Sequence, residues 1–215
     1  MSNAEPSADS PADEPVTGGE MRTRKRPPPG ERRMQILQTL ATMLQQPGAE
    51  RVTTAALAAR LQVSEAALYR HFASKAQMFE ALIDFIEHSV FSLTRKIADR
   101  EAPAPEKLAQ AVSALLRFAE ANPGLARVMA GDALVSEHER LQQRMGLFFD
   151  KLEAQWRQWA REPLIADAAT PTVEAQVRAG VLLAFSLGRI HRFVRTGFRR
   201  LPTEALPESL GVVLA

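Results

Sequence analysis

Side chains that can bind phosphate are concentrated between positions 66 and 75. They are Tyr69, Arg70, His71 and Lys75, which carry a phenol, a guanidinium, an imidazole and an ammonium. Each of these groups can hydrogen-bond a phosphate oxygen of duplex DNA. The methyl group of Ala66 can in addition contact a thymine methyl in the major groove. The chemistry that this set predicts is DNA binding, mainly through the sugar-phosphate backbone.

Two short helices are expected to present these groups on one side. Thr53 or Thr54 can cap the first helix, because a hydroxyl there accepts a hydrogen bond from a free backbone N–H. Ser64 can cap the second helix in the same way, after a short connection at Gln62 and Val63. The pattern is typical of a helix-turn-helix, although two amphipathic helices with surface cations also occur in proteins that bind no DNA.

The run from Leu68 to Lys75, preceded by Thr53-Thr54 and Val63-Ser64, resembles the signature of the TetR-type helix-turn-helix regulators. In that family the tyrosine and the lysine of the signature hold phosphates. The resemblance implies this role for Tyr69 and Lys75. It implies a further backbone contact for Thr53 or Thr54. It also implies an all-α TetR-type fold, in which an N-terminal three-helix head is joined to a C-terminal helical dimerisation domain.

The composition is that of a chain able to form an ordinary hydrophobic core. It has 215 residues, 46% of them hydrophobic, and no cysteine, so disulfides and cysteine-ligated zinc are excluded. The formal net charge of +2 is too small to indicate nucleic-acid binding by itself. No apolar run is long enough to span a membrane, and the acidic N-terminus has no signal-peptide core. We expect a cytoplasmic protein that is associated with the nucleoid.

The N-terminal segment 1–30 is predicted to be a disordered tail, because Pro, Ser, Gly and acidic residues offer little surface to bury. Its later part, residues 22–26, is basic, and Arg32 and Arg33 follow a proline-glycine spacer. A basic arm beside a DNA-binding domain can follow the backbone or enter a minor groove. A solubilising tail is the alternative interpretation.

Apolar periodicity predicts helices through the rest of the chain. Residues 31–76 are expected to form the helix-turn-helix domain, and residues 77–215 a helical dimerisation and partner-binding domain. A helix from Lys75 to about Arg100 has no Gly or Pro and is expected to link the two. The helix from about Thr172 to Thr196 is apolar in its middle and needs a partner on two sides, which predicts a homodimer. Further helices are expected from Glu31, over about 106–121 and 137–161, and at 203–214.

No arrangement of residues points to an enzyme or a metal site. His71, His88, His138 and His191 lie singly, without a second ligand at helical spacing. The run 137–139 does not form a site, because adjacent residues on a helix point about 100° apart. No nucleophile-elbow sequence is present. We therefore expect no catalysis, no cofactor and no metal.

The second domain is similar to a nucleoid-occlusion group within the TetR-type family. The likeness is carried by the segments Glu120–Leu125, Arg140–Arg144, Leu152–Gln155 and Arg192–Arg195. Members of that group are dimeric, bind palindromic chromosomal sites with one or more dimers per site, and act on the division protein FtsZ when DNA-bound. The resemblance implies a DNA-bound antagonist of FtsZ assembly. The alternative is a ligand-responsive transcriptional repressor, which an enclosed apolar cavity in this domain would favour.

Phe79 and Asn122 are the residues expected to bind FtsZ. Phe79 lies one turn after Lys75 on the linking helix, where it is expected to be partly exposed. Asn122 lies at the neighbouring corner and matches the resembled group. The alternative for Phe79 is burial in the head, which is common for phenylalanine.

Overall fold

The computed structural model describes residues 30–46, 52–161 and 171–214, and all regular structure within these ranges is helical. The α-helices are α1 Glu31–Leu44, α2 Thr54–Leu61, α3 Glu65–Tyr69, α4 Lys75–Ala98, α5 Ala104–Ala121, α6 Pro123–Met129, α7 Glu139–Arg161, α8 Pro171–Arg195 and α9 Leu206–Leu214. A short 3-10 helix, Asp132–Leu134, joins α6 to α7. The predicted all-α architecture is confirmed. None of the helices in these ranges is long and apolar enough to cross a bilayer.

The predicted helices correspond closely to those observed. The linking helix is α4, and the apolar helix expected at 172–196 is α8. One short helix, α6, is not among the predicted helices. Pro123 begins this helix at a position where proline is favoured, since its missing N–H would have no helical partner there. The predicted tail and its basic segment 22–26 lie outside the described residues.

Hydroxyl caps start the three helices that follow α1. The side chain of Thr53 accepts from the amide of Ala56 at 3.1 Å, and that of Ser64 accepts from Ala67 at 3.3 Å. Ser74 caps α4 by accepting from Gln77 at 3.2 Å. Each such cap satisfies a backbone donor that the helix leaves free, and each contributes about 1 kcal/mol.

The turn between α2 and α3 is fixed by the backbone. Gln62 adopts a left-handed conformation with φ 55°, and its amide donates to the carbonyl of Ala59 at 3.0 Å. The amide of Val63 donates to the carbonyl of Ala58, also at 3.0 Å. These two bonds form a Schellman motif, which ends α2 and redirects the chain into α3.

The core of the head is built from apolar residues of α1, α2, α3 and the corner that leads into α4. Its buried members include Ile36, Leu40, Leu44, Leu57, Leu68 and Phe72. Leu68 and Phe72 are four residues apart, so burying both fixes which side of α3 faces outward. The outward side is the one that carries the predicted phosphate-binding groups.

The head contacts the second domain through α1 and α6. Gly124 lies so close to α1 that an added Cβ would stand 1.9 Å from the carbonyl oxygen of Ala41. Nearby, the guanidinium of Arg127 donates to the carbonyl of Gln46 at 3.1 Å and lies 5.2 Å from the ring centroid of Phe198. Close backbone packing and a buried cation therefore dock α1 against the second domain.

Candidate nucleic-acid interface

The predicted DNA-reading residues lie together on the outer side of the helix-turn-helix. Ala66 is exposed in the first turn of α3, and Tyr69 is exposed at its last residue. Arg70 and His71 are exposed in the turn that follows, and Lys75 begins α4. The structure therefore presents a phenol, a guanidinium and an imidazole to solvent beside a lysine at a helix start.

Thr53 and Thr54 differ in what their hydroxyl protons are free to do. The hydroxyl of Thr54 donates to a carboxylate oxygen of Glu65 at 2.6 Å, and this bond ties α2 to α3. Thr53 uses an oxygen lone pair to accept from Ala56, so its proton remains able to bond a phosphate. Thr53 is therefore the better placed of the two for a backbone contact.

Arg33 supports the corner between α3 and α4. Its guanidinium donates to the carbonyl of His71 at 2.8 Å and lies 4.0 Å from the ring centroid of Phe72. The neighbouring Arg32 donates to the side chain of Gln35 at 2.7 Å. Sequence reasoning placed both arginines in a DNA-binding arm and missed this positioning role of Arg33, which depends on a residue 38 positions away.

Lys75 is held by groups from both domains. Its ammonium lies 2.5 Å from a carboxylate oxygen of Glu137 and 5.7 Å from the ring centroid of Phe79. The side chain of Lys75 is 27% exposed and that of Glu137 is 9% exposed. Sequence reasoning missed Glu137 as a partner, because 62 residues separate the two in the chain.

The expectation that Phe79 is partly exposed is wrong. Its side chain is 1% exposed, as its neighbours Met78, Leu82 and Ile83 are also buried. The apolar face of α4 is wide at this level, because α4 packs against the head on one side and the second domain on the other. The buried ring of Phe79 therefore packs near the ammonium of Lys75 and is not accessible to a partner protein in this structure.

Asn122 lies at the mouth of an open groove. Its amide donates to the carbonyl of Phe118 at 2.8 Å and leaves the side chain half-buried. The groove has a volume of about 1230 Å³ and lies between α4, α5 and α9. Its lining includes Leu93, Ala114, Arg117, Phe118, Asn122 and Leu210. Being open, it is unlike the enclosed cavity that a ligand-responsive repressor would require.

Ion pairs fasten α4 to α7 beyond the head. Arg140 pairs with Glu80 at 2.9 Å, and Arg144 pairs with both Asp84 and Glu87. Partial burial acts to lower the pKa of Arg144, but the two carboxylates outweigh it and hold that pKa above its usual value. The sequence signal for this contact is an acidic row on α4 opposite a basic row on α7. The part of the chain that the structure describes contains no cluster of three metal-ligating side chains.

Comparisons with known families match both domains. Residues 36–82 match the family described as bacterial regulatory proteins of the tetR family, and residues 106–213 match the SlmA-like form of the tetracyclin repressor-like C-terminal domain. Among solved structures, the regulator FadR from Bacillus subtilis with stearoyl-CoA is similar, with a TM-score of 0.69 at 14% identity, covering 85% of this chain and 97% of that one. AibR, solved with isovaleryl coenzyme A and operator DNA, gives a TM-score of 0.62 at 19% identity, covering 84% and 97%. These likenesses confirm the TetR-type fold.

Nucleoid occlusion factors are much more similar to this chain in sequence than FadR and AibR are. The nucleoid occlusion factor SlmA of Idiomarina loihiensis is 47% identical over 173 residues, which cover 80% of this chain and 88% of the relative. The SlmA proteins of Shewanella loihica and Vibrio vulnificus are 48% and 47% identical, with 82% of this chain covered and 90% and 91% of each relative. The chain therefore belongs to the SlmA family of nucleoid occlusion factors, within the TetR-type helix-turn-helix regulators.

Proposed function

We propose that this protein is a sequence-specific DNA-binding nucleoid occlusion factor. When bound to DNA, it antagonises FtsZ assembly, so that the division septum does not form over the chromosome. The observation that carries the proposal is the outward phosphate-binding face of α3 and α4, on a chain 47% identical to the SlmA of Idiomarina loihiensis. Such a protein works at the nucleoid and catalyses no reaction.

DNA is bound by the head, residues 31–76, mainly through phosphates. Tyr69, Arg70 and His71 are exposed and can donate to phosphate oxygens, and Thr53 has a free hydroxyl proton. Ala66 and Arg70 are the residues placed for base edges. Because most of these contacts carry no sequence information, we expect strong non-specific binding with a smaller sequence-specific increment.

The second domain, residues 77–215, forms a two-fold homodimer through α8. Val173, Val177 and Val181 recur every four residues on α8, and all three are exposed in the single chain. An uncovered apolar stripe of this kind marks a protein interface. A two-fold axis through it would set two heads on successive major grooves of a palindromic site.

FtsZ is bound at the groove that contains Asn122. Because Phe79 is buried, the exposed apolar residues of α4 are Phe85 and Leu93, and Phe85 packs 6.4 Å from the Phe118 ring that lines the groove. Exposed aromatic and aliphatic groups beside a groove are typical of a protein-binding site. Lys96, Arg100 and Arg117 also line it, together with Glu106 and Glu120, so it suits a segment that carries apolar side chains and charges of both signs.

The alternative of a ligand-responsive repressor finds less support in the second domain. The aromatic residues that could form an effector pocket are Phe118, Phe148, Phe149, Trp156 and Trp159. Of these, Phe148 and Trp156 are fully buried and Phe149 and Trp159 nearly so, all within the continuous hydrophobic core. Packed aromatic side chains favour a filled core over a ligand cavity.

The proposal that FtsZ binds at this groove is tested by FtsZ sedimentation with GTP, in the presence of a palindromic duplex selected with the wild-type protein. Asn122→Ala and Phe85→Ala are expected to bind that duplex normally and to lose most of the effect on FtsZ polymer. Val212→Ala removes an apolar group that is 81% exposed on α9 and does not line the groove, so it is the matched control. Full activity of both Asn122→Ala and Phe85→Ala would place the FtsZ site elsewhere.

A further inference from the structure

The Lys75–Glu137 ion pair joins the DNA-binding head to the second domain. Lys75 begins α4 beside the exposed groups of α3, whereas Glu137 lies in the segment before α7. Their charged atoms are 2.5 Å apart, and Glu137 is nearly enclosed. Among the described residues, Lys75 is the cation that lies within ion-pair distance of Glu137.

A DNA phosphate needs the same ammonium group. Lys75 has three N–H donors, so one donor could reach a phosphate while another still bonds Glu137. That arrangement would bring a phosphate and a carboxylate to within a few ångströms of each other around one positive charge. Their repulsion is least screened where the groups are partly buried, and Glu137 is 9% exposed. The two anions therefore compete for Lys75.

We propose that Glu137 is an affinity-setting residue of the DNA interface, whose carboxylate competes with DNA phosphate for Lys75. The inference rests on the proposed DNA binding and deepens it. Without DNA, Glu137 holds Lys75 against the second domain. When a phosphate binds the ammonium of Lys75, the ion pair between Lys75 of the head and Glu137 of the second domain is broken.

The second tie between the domains does not involve DNA-binding groups. Gly124 packs against the backbone of α1 at Ala41, and Arg127 donates to the carbonyl of Gln46. These contacts lie on α1 and α6, away from α3, and no charge there is needed by phosphate. Phosphate binding thus removes the Lys75–Glu137 attachment and leaves the α1–α6 contact and the apolar packing of α4 in place.

The experiment compares DNA affinity in a small set of glutamate variants by fluorescence anisotropy. Probes are a palindromic duplex selected with the wild-type protein and a duplex of scrambled sequence. Glu137→Gln is expected to bind both about three- to tenfold more tightly, because the competing carboxylate is gone and an amide of the same shape remains. Glu137→Asp keeps the charge and is expected to bind more nearly like wild type.

Two controls make the same change of net charge. Glu139→Gln lies two residues away and alters a carboxylate that accepts from Gln143 at 3.3 Å. Glu80→Gln breaks the ion pair that joins α4 to Arg140 of α7 and involves no DNA-binding group. Both controls are expected to stay within about twofold of wild type, since neither carboxylate is paired with Lys75.

A double-mutant cycle with Lys75→Ala tests whether Glu137 changes DNA affinity through Lys75. If Glu137 acts through Lys75, the gain from Glu137→Gln largely disappears in the Lys75→Ala background. A gain that survives there undiminished, or one equal to that of Glu139→Gln, would overturn the inference. If instead selection with the wild-type protein yields no duplex that it binds, the proposed function itself fails, and this result is distinct from an inert Glu137→Gln in a protein that does bind.

Discussion

Lys75 is the predicted DNA-binding residue that also contacts both domains of the fold. The Ser74 cap sets the direction in which α4 begins, and the buried ring of Phe79 lies beneath the ammonium. Glu137 then fixes the end of the side chain at 2.5 Å. A lysine held in this way has already lost much of its rotamer freedom, so a phosphate that replaces Glu137 pays less entropy to order it.

Replacing Lys75 by alanine is expected to weaken binding of palindromic and scrambled DNA alike, because a phosphate contact carries no sequence information. The slope of log affinity against log salt should become shallower by about one unit, since one fewer counterion is released. Anisotropy titrations across a salt series measure both quantities. Lys96→Ala, which removes an exposed charge far along the same helix, is the control and should leave the slope unchanged. An equally unchanged slope for Lys75→Ala would mean that Lys75 does not contact phosphate.

The sequence predicted which residues face outward where their orientation depends on one short helix alone. Burial of Leu68 and Phe72 at a spacing of four leaves Tyr69 exposed by geometry alone. The exposure of Phe79 was predicted wrongly, because the part of a wide apolar face that is covered depends on how distant helices pack. Glu137 could not be found for the same reason, since nothing near Lys75 in the chain indicates which carboxylate will reach it.

At the scale of elements, α4 and the α1–α6 contact set the position of the head. The 24 residues of α4 run without interruption from Lys75 into the second domain, where Arg140 and Arg144 pair with its acidic side. The boundaries of α4 were predictable from caps and the absence of Gly and Pro. The close approach of Gly124 to α1 was not, because the sequence Asn122-Pro123-Gly124 equally describes a simple corner.

Gly124→Ala is expected to lower the free energy of unfolding by about 1 to 3 kcal/mol, because its Cβ would overlap the carbonyl of Ala41 and push α1 away from α6. Gly211→Ala is the matched control. It lies in α9 with nothing within 4 Å of an added Cβ, so it should stabilise the protein by about 0.5 to 1 kcal/mol through helix propensity. Urea unfolding followed by circular dichroism measures both changes. Equal stability of the two variants would contradict the tight α1–α6 contact.

At the scale of the whole molecule, the exposed valines of α8 form an uncovered apolar row on the single chain. Val173, Val177 and Val181 form one row along the helix, whereas Ala175, Ala179 and Leu182 on the opposite side are buried. The sequence showed that α8 is apolar in its middle, which predicts two covered sides. It could not show which side faces its own domain, because both carry small or branched apolar residues.

Val177→Glu is expected to give monomers in sedimentation velocity, since a carboxylate in the middle of the valine row cannot be desolvated in a dimer interface. The monomers should bind a palindromic duplex weakly, because the second head is no longer held on the next major groove. Gln176→Glu makes an additional negative charge on an exposed neighbour outside the row and is expected to remain dimeric. A monomeric wild-type protein would rule out the α8 dimer.

The proposed function places a DNA site and an FtsZ site on one molecule, which allows their binding to be linked. If DNA favours a placement of the heads that also favours FtsZ at the Asn122 groove, each ligand tightens binding of the other by the same factor. The Lys75–Glu137 pair lies at the start of α4, whereas the groove lies beside the other end of that helix. Both sites therefore include residues of α4, the helix that runs from the head into the second domain.

The most direct measurement is FtsZ assembly with GTP in the presence of wild-type protein, with and without saturating palindromic duplex. Polymer mass is read by sedimentation and filament length by electron microscopy, and a scrambled duplex at the same concentration is the control. We expect the palindrome to produce fewer and shorter filaments than the protein alone or the scrambled duplex. Unchanged polymer mass and filament length with fully DNA-bound wild-type protein would contradict the proposal that this protein antagonises FtsZ from the chromosome.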